Sequence, residues 1–369
     1  MKIAALILII FPVLAYGVIK GKATATIRPD VFPVYGNVDF KVVISPGCEL
    51  KKGDFIQCQL PNSMNCEYIS PSFTKKWQFE DPASRNFIEV SSADGNGAFS
   101  LHIINREFVG GEAVFSRHGL CLNIVLESGT TGKDEDIIVS YRNTTSPWRS
   151  VDNPGIGGHE GLVYVAVNGQ PLEKLPAFRV YSGEEKQFRV IIPSSVKPGE
   201  VFPVKMISLD EYNNLSCKTH RGIRVMHKGV CLAVSSDFCG RGVVWISFSE
   251  EGVYRLEANG VLSNPVKVTA APNGPWWGDL HFHTAFSIDA VGNDPYGYAR
   301  DVSCLDFAST TEHTAGGLET YWKQTLKWAN EYNQPGEFVT LLALETRFTD
   351  AGKAHYNPVS YTHLRAHET

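Results

Sequence analysis

The pattern of apolar residues changes character at Trp277 of this 369-residue chain. From about residue 20 to 270, short runs alternate apolar with polar residues, as in 38–45, 136–141 and 161–167. Alternation with a period of two places the apolar side chains on one face of a β-strand. Asn168-Gly169 and Asp94-Gly95 have the composition of tight hairpin turns. This part of the chain is therefore predicted to be all-β, built as two sandwich-like modules.

After Trp277 the pattern predicts alternating strands and helices. The predicted strands are 277–283, 305–310 and 338–345, and the predicted helices are 295–304 and 318–333. The third strand is apolar almost throughout, as expected of a parallel strand that is buried on both faces. Strand, helix, strand, helix and strand in this order predict the beginning of a parallel α/β barrel or sheet.

These changes divide the chain into successive parts. We predict a signal peptide at 1–17, a β-rich module at 18–172, an immunoglobulin-like β-sandwich module at 173–270, and an incomplete α/β domain at 271–358. The last residues, 359–369, are interpreted as a non-native tail. Trp276 and Trp277, at the last domain boundary, are expected to pack at the junction.

The N-terminus predicts export. Lys2 precedes the apolar run 3–14, and Ala15-Tyr16-Gly17 offers the small residues that signal peptidase requires. A membrane anchor is the alternative, but the run is short for a span of about 20 residues. We therefore expect a secreted or periplasmic protein with no stable membrane span after cleavage.

Export makes the eight cysteines candidates for disulfides, and Cys231 with Cys217 or Cys239 is the expected local pair. The net charge of −5 and the pI near 6.1 leave no basic surface typical of nucleic-acid binding. No nucleic-acid partner is expected.

Potential metal ligands recur where the three C-terminal strands end. In a strand, residues two apart share a face, so the imidazoles of His281 and His283 can reach one cation. A lone pair of this kind is weak evidence, because histidines at strand ends are often only hydrogen-bonded. Further candidates follow the next strands: Glu312, His313, Glu345 and His355. In α/β barrels the carboxyl ends of strands carry the catalytic groups, and imidazoles with carboxylates suit Zn, Mn or Fe.

At these residues the chain resembles the PHP (polymerase and histidinol phosphatase) superfamily, and more closely an uncharacterised secreted branch of it. The matching segments are 277–284 (WGDLHFHT), 287–290 (SIDA), 298–300 (YAR), 305–307 (LDF), 311–313 (TEH) and Glu345. Residues 352–357 (GKAHYN) are similar to the family's G-x-H-H-N, with Ala354 in place of the first histidine. The resemblance covers about 180–360.

The resemblance implies a site with two or three divalent metal ions. His281 and His283 would bind the first metal, His313 the second, and Glu345 would bridge them. His355 would serve a third metal.

Two positions depart from the family pattern. Asp289 stands where the family usually has a histidine ligand, and its carboxylate can replace it. Glu312 replaces the more usual aspartate and would orient a ligand. Glu312 and His355 are the candidates for catalytic groups.

The resemblance implies a metal-dependent hydrolase, namely a phosphoesterase acting on a small-molecule or polymer phosphoester. An amidohydrolase-type enzyme that cleaves C–N or C–O bonds is one alternative, because it also begins with H-x-H on a barrel strand. A non-catalytic cell-surface protein, whose β modules bind a surface or polymer partner, is the other.

The family's barrel continues beyond three strands, whereas 359–369 (VSYTHLRAHET) does not follow its pattern. This segment resembles a translated sequencing adapter, so His363 and His367 are not taken as ligands. The chain alone is therefore expected to be inactive, prone to aggregation and at best a weak metal binder, because the missing strands would leave an edge uncovered.

Overall fold

The computed structural model describes residues 23–60, 77–105, 120–145, 161–284, 295–313, 318–347, 355–357 and 359–360. The expected signal peptide at 1–17 and the candidate ligand Asp289 lie outside these ranges. Strands dominate the described part, as predicted for the region before Trp277. Neither helix found there has the length and apolar character that crossing a bilayer requires.

The N-terminal module is a β-sandwich. Its sheets have the orders β1-β3-β8-β5 and β10-β9-β4-β7-β6, and β11 pairs with β2 in parallel. One core joins both sheets through buried side chains such as Val42, Val139, Ile56 and Ile124. The strands are β1 (Thr24–Arg28), β2 (Val31–Pro33), β3 (Asn37–Ser45), β4 (Phe55–Gln59), β5 (Phe87–Ser92), β6 (Ala98–Asn105), β7 (Leu120–Ser128), β8 (Ile137–Thr145), β9 (Tyr164–Val167), β10 (Gln170–Pro171) and β11 (Arg179–Tyr181).

The second module consists of short sheets around its own core, which includes Val204, Met206, Val225, Leu256 and Val266. The sheet orders are β12-β14-β19, β13-β23-β20, β15-β18 and β17-β16-β21-β22. The strands are β12 (Gln187–Ile191), β13 (Ser195–Val196), β14 (Phe202–Leu209), β15 (Thr219–His220), β16 (Arg224–His227), β17 (Val230–Val234), β18 (Phe238–Cys239), β19 (Arg241–Ile246), β20 (Gly252–Tyr254), β21 (Glu257–Ala258), β22 (Val261–Leu262) and β23 (Val266–Val268).

Of the two hairpins predicted from the sequence, the one at Asn168-Gly169 is confirmed. The one at Asp94-Gly95 is wrong, because this turn joins β5 to β6, which lie in different sheets. Asn168 and Gly169 join β9 to β10 with φ of 48° and 77°, and Val167 pairs with Gln170 across the turn. Positive φ at both central residues is the type I′ geometry that matches the twist of the flanking strands. Asn and Gly adopt it with the least strain, which explains why the pair is a reliable signal.

The expected cysteine pairing is wrong. No disulfide joins any two of the described cysteines, and Cys66 lies outside the described residues. Cys231, Cys217 and Cys239 are exposed and unpaired. Cys58 is buried in the first sandwich, where it accepts a hydrogen bond from Tyr141 Oη, and burial raises the pKa of its thiol to about 12. A thiol with that pKa stays protonated and unreactive.

The C-terminal part is the predicted α/β unit. The elements are β24 (Gly278–Phe282), α1 (Pro295–Asp301), β25 (Phe307–His313), α2 (Leu318–Tyr332), β26 (Val339–Arg347), β27 (His355–Tyr356) and β28 (Val359–Ser360). Strands β24, β25 and β26 are parallel, whereas β27 and β28 both pair antiparallel with β26. In the described residues these strands form an open sheet and no closed barrel.

Both helices cover the α/β sheet through apolar side chains. Tyr296 of α1 is fully buried, and its hydroxyl donates to Leu341 O at 2.8 Å. Trp322, Leu326 and Ala329 of α2 belong to the same core, as the predicted helical face requires.

Helix α1 also contacts the second β module. Val302, just after the helix, packs against Ile207 and Leu209 of β14. Tyr298 Oη donates to Asn213 O at 3.1 Å. The junction therefore buries apolar residues of both parts.

The expected packing of the two tryptophans at this junction is wrong. The side chains of Trp276 and Trp277 remain 65% and 61% exposed. Trp277 contacts the β module through its Nε1–H, which donates to Ser194 Oγ at 3.0 Å. The apolar contact is made by β14 and the end of α1, so it does not need the indole rings.

Gly278 permits the close approach of β24 and β25, and we expect Gly278→Ala to weaken it. A Cβ at this position would lie 2.3 Å from the Phe307 ring of the neighbouring strand. We expect the free energy of unfolding to fall by about 1–3 kcal/mol, the usual cost of overpacking, measured by urea denaturation. Phe307→Leu in the same chain should recover part of the loss, whereas Gly132→Ala, whose Cβ finds its nearest neighbour at 3.7 Å, should be neutral. A stable Gly278→Ala protein would contradict the close packing.

The ion pair between Arg241 of β19 and Asp301 of α1, at 2.9 Å, should make the junction sensitive to acid. Burial alone would raise the pKa of Asp301, but Arg300 and Arg241 outweigh it and leave that pKa below its ordinary value of 3.8. Its stabilisation is therefore present above pH 3.8 and is lost as the pH falls through the lower folded pKa.

We expect Asp301→Asn to cost about 1 kcal/mol at pH 7, because the pair is partly exposed to solvent. The same substitution should flatten the decline in stability on the acid side, measured by urea denaturation between pH 7 and pH 2.5. Glu331→Gln, in an exposed pair with Lys327 on α2, is the matched control. An unchanged acid profile in Asp301→Asn would show that the ion pair does not hold the junction.

Candidate metal centre

Strand β24, which leads into the histidine pair, contains a β-bulge that the sequence does not reveal. Gly278 and Asp279 pair with consecutive residues of β25, but the next paired residue is Phe282, opposite Thr310, so β24 contains one extra residue. The backbone N–H of His281 donates to Asp279 Oδ1 at 2.9 Å within this bulge. Bulges commonly redirect a side chain next to a functional site.

The imidazoles of His281 and His283 converge as the spacing predicts. Their Nε2 atoms lie 3.1 Å apart, and the rings stand nearly perpendicular at 79°. Glu345 Oε2 lies 3.4 Å from His281 Nε2 and 3.1 Å from His283 Nε2. These three ligand atoms are the one group in the described residues that could hold a metal ion together.

His313 joins this group through the carboxylate. It lies directly opposite Glu345 in the parallel pairing of β25 with β26, and its Nε2 is 3.2 Å from the same Oε2. The rings of His313 and His283 are 4.6 Å apart between centroids. Three imidazole nitrogens thus surround one carboxylate oxygen.

These separations fit a cation. Ligand atoms held at about 2.0–2.1 Å by a tetrahedral zinc ion lie about 3.3–3.4 Å from one another. The separations of 3.1–3.4 Å among His281, His283 and Glu345 are close to that edge length. The donor set, imidazole nitrogen with carboxylate oxygen, suits Zn, Mn or Fe.

Burial decreases from the carboxylate outward. The Glu345 side chain is only 4% exposed, whereas that of His281 is 51% exposed. An ionised carboxylate is costly to bury unless charge or hydrogen bonds compensate it. The site is therefore closed behind Glu345 and open to solvent beside His281.

Glu312 occupies a different position from the ligand group. It is buried, and its Oε1 accepts the backbone N–H of Thr284 at 2.9 Å, one residue after His283. Burial raises the pKa of Tyr296 on α1; hydrogen bonds with Thr310 lower it, and the carboxylate of Glu312 raises it. In this position Glu312 holds the chain that follows the histidine pair. A catalytic role for it stays a prediction.

Two candidates cannot be placed by their side chains. Asp289 lies outside the described residues, and of His355 only the backbone, in β27, is described. Their ligand roles, and the catalytic role of His355, stay predictions.

Asn357 is a site residue to which the sequence analysis gave no role, although it ends the segment 352–357 that was compared with the family's G-x-H-H-N. Its amide lies 2.8 Å from Nδ1 of His281. A second signal was its place two residues after His355, because residues two apart share one face of a strand.

His220 and His227, which lie outside this group, have contacts of their own. His220 is buried between Phe188 and Phe238, and its Nε2 lies 2.7 Å from Glu185 Oε2. His227 Nδ1 lies 2.9 Å from Arg255 O. His118 and His159 lie outside the described residues.

Comparison with known proteins does not assign the chain to a family. No protein-family model and no curated protein sequence matches the chain. Domains 4 and 5 of the S-layer protein SbsC are similar at 19% identity over 30% of this chain and 66% of that one, with a TM-score of 0.18. The adhesin InvE of Yersinia pseudotuberculosis is similar at 10% identity over 67% of this chain and 58% of that one, with a TM-score of 0.18.

Red sea bream transglutaminase is similar at 13% identity over 67% of this chain and 31% of that one, with a TM-score of 0.16. The chain thus spans 66% of the length of SbsC domains 4 and 5 and 58% of the length of InvE, less than two thirds of each. TM-scores this low carry no weight for architecture or function.

Replacing Glu312 should separate its positioning contact from its charge. We expect Glu312→Leu to lose about 1–3 kcal/mol, because the Thr284 N–H would be left buried without its acceptor. Glu312→Gln keeps an acceptor oxygen of the same size and should lose less. Urea denaturation gives the stability, and the NMR signals of the His283 ring report its position. Equal losses in both variants would mean that the Thr284 contact is not what Glu312 provides.

Proposed function

We propose that residues 271–358 are part of a PHP-type metal-dependent hydrolase, and that its reaction is phosphoester hydrolysis. The observation that carries the proposal is the convergence of three Nε2 atoms, from His281, His283 and His313, on Glu345 Oε2 at 3.1–3.4 Å. Hydrogen bonding alone explains this arrangement poorly. If one Nε2–H donates to the other Nε2 at 3.1 Å, the accepting nitrogen has no proton for the carboxylate oxygen that lies 3.1–3.4 Å away.

Each group has a distinct place in the proposed site. His281, His283 and Glu345 would hold one divalent cation, and His313 with Glu345 would contribute to a second. When bound, such cations supply Lewis-acid activation of water and neutralise charge on a phosphoryl group. The buried carboxylate of Glu345 fixes where that positive charge resides.

The protein itself determines how a substrate can approach. The exposed edge at His281 leaves one side of the site open, and the buried β25–β26 pair closes the other. Glu312 holds the backbone at Thr284 and so keeps His283 directed into the site. A small-molecule or polymer phosphoester would enter from the His281 side. Export of the chain, through a signal peptide at 1–17, is part of the proposal.

Two other functions compete with this one. An amidohydrolase-type reaction would use the same histidine pair on C–N or C–O bonds. A non-catalytic cell-surface protein would instead bind a surface or polymer through its β modules. The observation that favours this last candidate is the outer face of β19, where Val243 and Trp245 are 45% and 62% exposed.

Metal binding by this chain tests the site directly. We expect the metal-stripped protein to take up Zn²⁺ or Mn²⁺ in calorimetric titration. His281→Ala/His283→Ala should weaken the first binding event by at least about 100-fold, because two of its three ligands are lost. His102→Ala, which removes an exposed histidine of the first module, is the matched control. Equal affinity in the double variant and the wild type would contradict the site.

Turnover distinguishes the candidate functions. The metal-loaded protein is assayed with p-nitrophenyl phosphate, bis(p-nitrophenyl) phosphate and p-nitroacetanilide. Phosphoester turnover that His281→Ala/His283→Ala abolishes supports the proposal, and anilide turnover alone favours the amidohydrolase. A surface-binding activity that survives the double substitution favours the β modules.

A further inference from the structure

We propose that Asn357 is a positioning residue for His281. Its side-chain oxygen accepts a hydrogen bond from Nδ1–H of His281 and so fixes the tautomer whose Nε2 lone pair faces the cation. The proposal rests on the proposed function, because it assigns Asn357 a role toward the metal.

Strand pairing brings Asn357 to the site. Thr346 pairs with Tyr356, and Arg347 with His355, in the antiparallel ladder of β26 and β27. Continued by one residue, this ladder places Asn357 beside Glu345. Glu345 then lies between His313 on one neighbouring strand and Asn357 on the other. From there the Asn357 amide reaches His281 Nδ1 at 2.8 Å.

The orientation of this amide and the tautomer of His281 depend on each other. In the structure Nδ2 faces the imidazole, and Oδ1 is buried with no hydrogen-bond partner among the residues that the structure describes. Exchanging the amide oxygen and nitrogen leaves the shape unchanged, and the assignment is settled by the hydrogen bonds. Either orientation makes one hydrogen bond to His281, so the choice depends on which ring nitrogen carries the proton.

A cation at Nε2 of His281 would require the exchanged orientation of the Asn357 amide, with Oδ1 facing Nδ1. Nδ2 can donate only to an unprotonated Nδ1, which leaves the proton on Nε2. Nε2 is the atom 3.1 Å from His283 Nε2 and 3.4 Å from Glu345 Oε2, where a cation would need a lone pair. With Oδ1 facing Nδ1, the proton resides on Nδ1 and Nε2 is free to coordinate.

This contact matters because His281 is the least buried ligand. Its ring is half exposed, so packing restrains it less than it restrains His283. Metal-bound histidines generally donate their second N–H to an oxygen, and losing that oxygen typically costs 10–100-fold in metal affinity. Asn357 supplies such an oxygen.

The test compares an acceptor-only substitution with an apolar one. Asn357→Asp offers only acceptor oxygens and should keep Zn²⁺ affinity within about threefold of the wild type, whereas Asn357→Leu should lose about 10–100-fold. Asn330→Asp and Asn330→Leu, at an exposed position of α2, control for charge and size. Thermal unfolding confirms that each variant folds, and affinities come from calorimetry at pH 7.5.

A second readout does not need metal. ¹⁵N NMR of the metal-stripped protein should show His281 as the Nδ1–H tautomer, and Asn357→Leu should shift it toward Nε2–H. Wild-type affinity in Asn357→Leu, equal losses in Asp and Leu, or an Nε2–H wild type would each overturn the proposal. A wild type that binds no Zn²⁺ yet shows Nδ1–H would overturn the metal site but retain the Asn357–His281 hydrogen bond.

Discussion

The candidate site depends on the register of β25 with β26. Their parallel pairing places His313 opposite Glu345 and Glu312 opposite Leu344. Because side chains alternate along a strand, a slip of one residue would turn His313 away from the site and replace it with Glu312. The buried residues of both strands, Ala308, Leu342 and Ala343 among them, fix this register by their packing.

The same register places the carboxylate of Glu345 in a buried position. Glu345 is buried, and an ionised carboxylate in that position needs compensation that the apolar core cannot give. The three imidazoles can supply it in two ways, by hydrogen bonds from protonated nitrogens or by holding cations between themselves and the carboxylate. The distance of 3.1 Å between His281 Nε2 and His283 Nε2 allows only one of these two nitrogens to carry a proton when no cation is bound.

Local patterns in the sequence predicted much of this arrangement. The apolar strands, the face of α2 and the Asn168-Gly169 hairpin follow from periodicity and backbone preference, which act within a few residues. The spacing of His281 and His283 likewise fixes their common direction. The extra residue in β24 was not predictable, because a bulge depends on pairing with β25. The role of Asn357 was missed for a similar reason, since its partner His281 lies 76 residues away.

The β module and the α/β unit are mechanically connected through α1. Tyr296 anchors one side of the helix to the sheet through Leu341 O, whereas Tyr298 and Asp301 attach the other side to Asn213 and Arg241. A seven-residue helix has little stability of its own, so it depends on both partners. Helix α1 packs on the strands that carry His313 and Glu345. By holding α1 in place, the second β module therefore stabilises the candidate site indirectly. The module therefore has a structural role that is independent of any partner it binds.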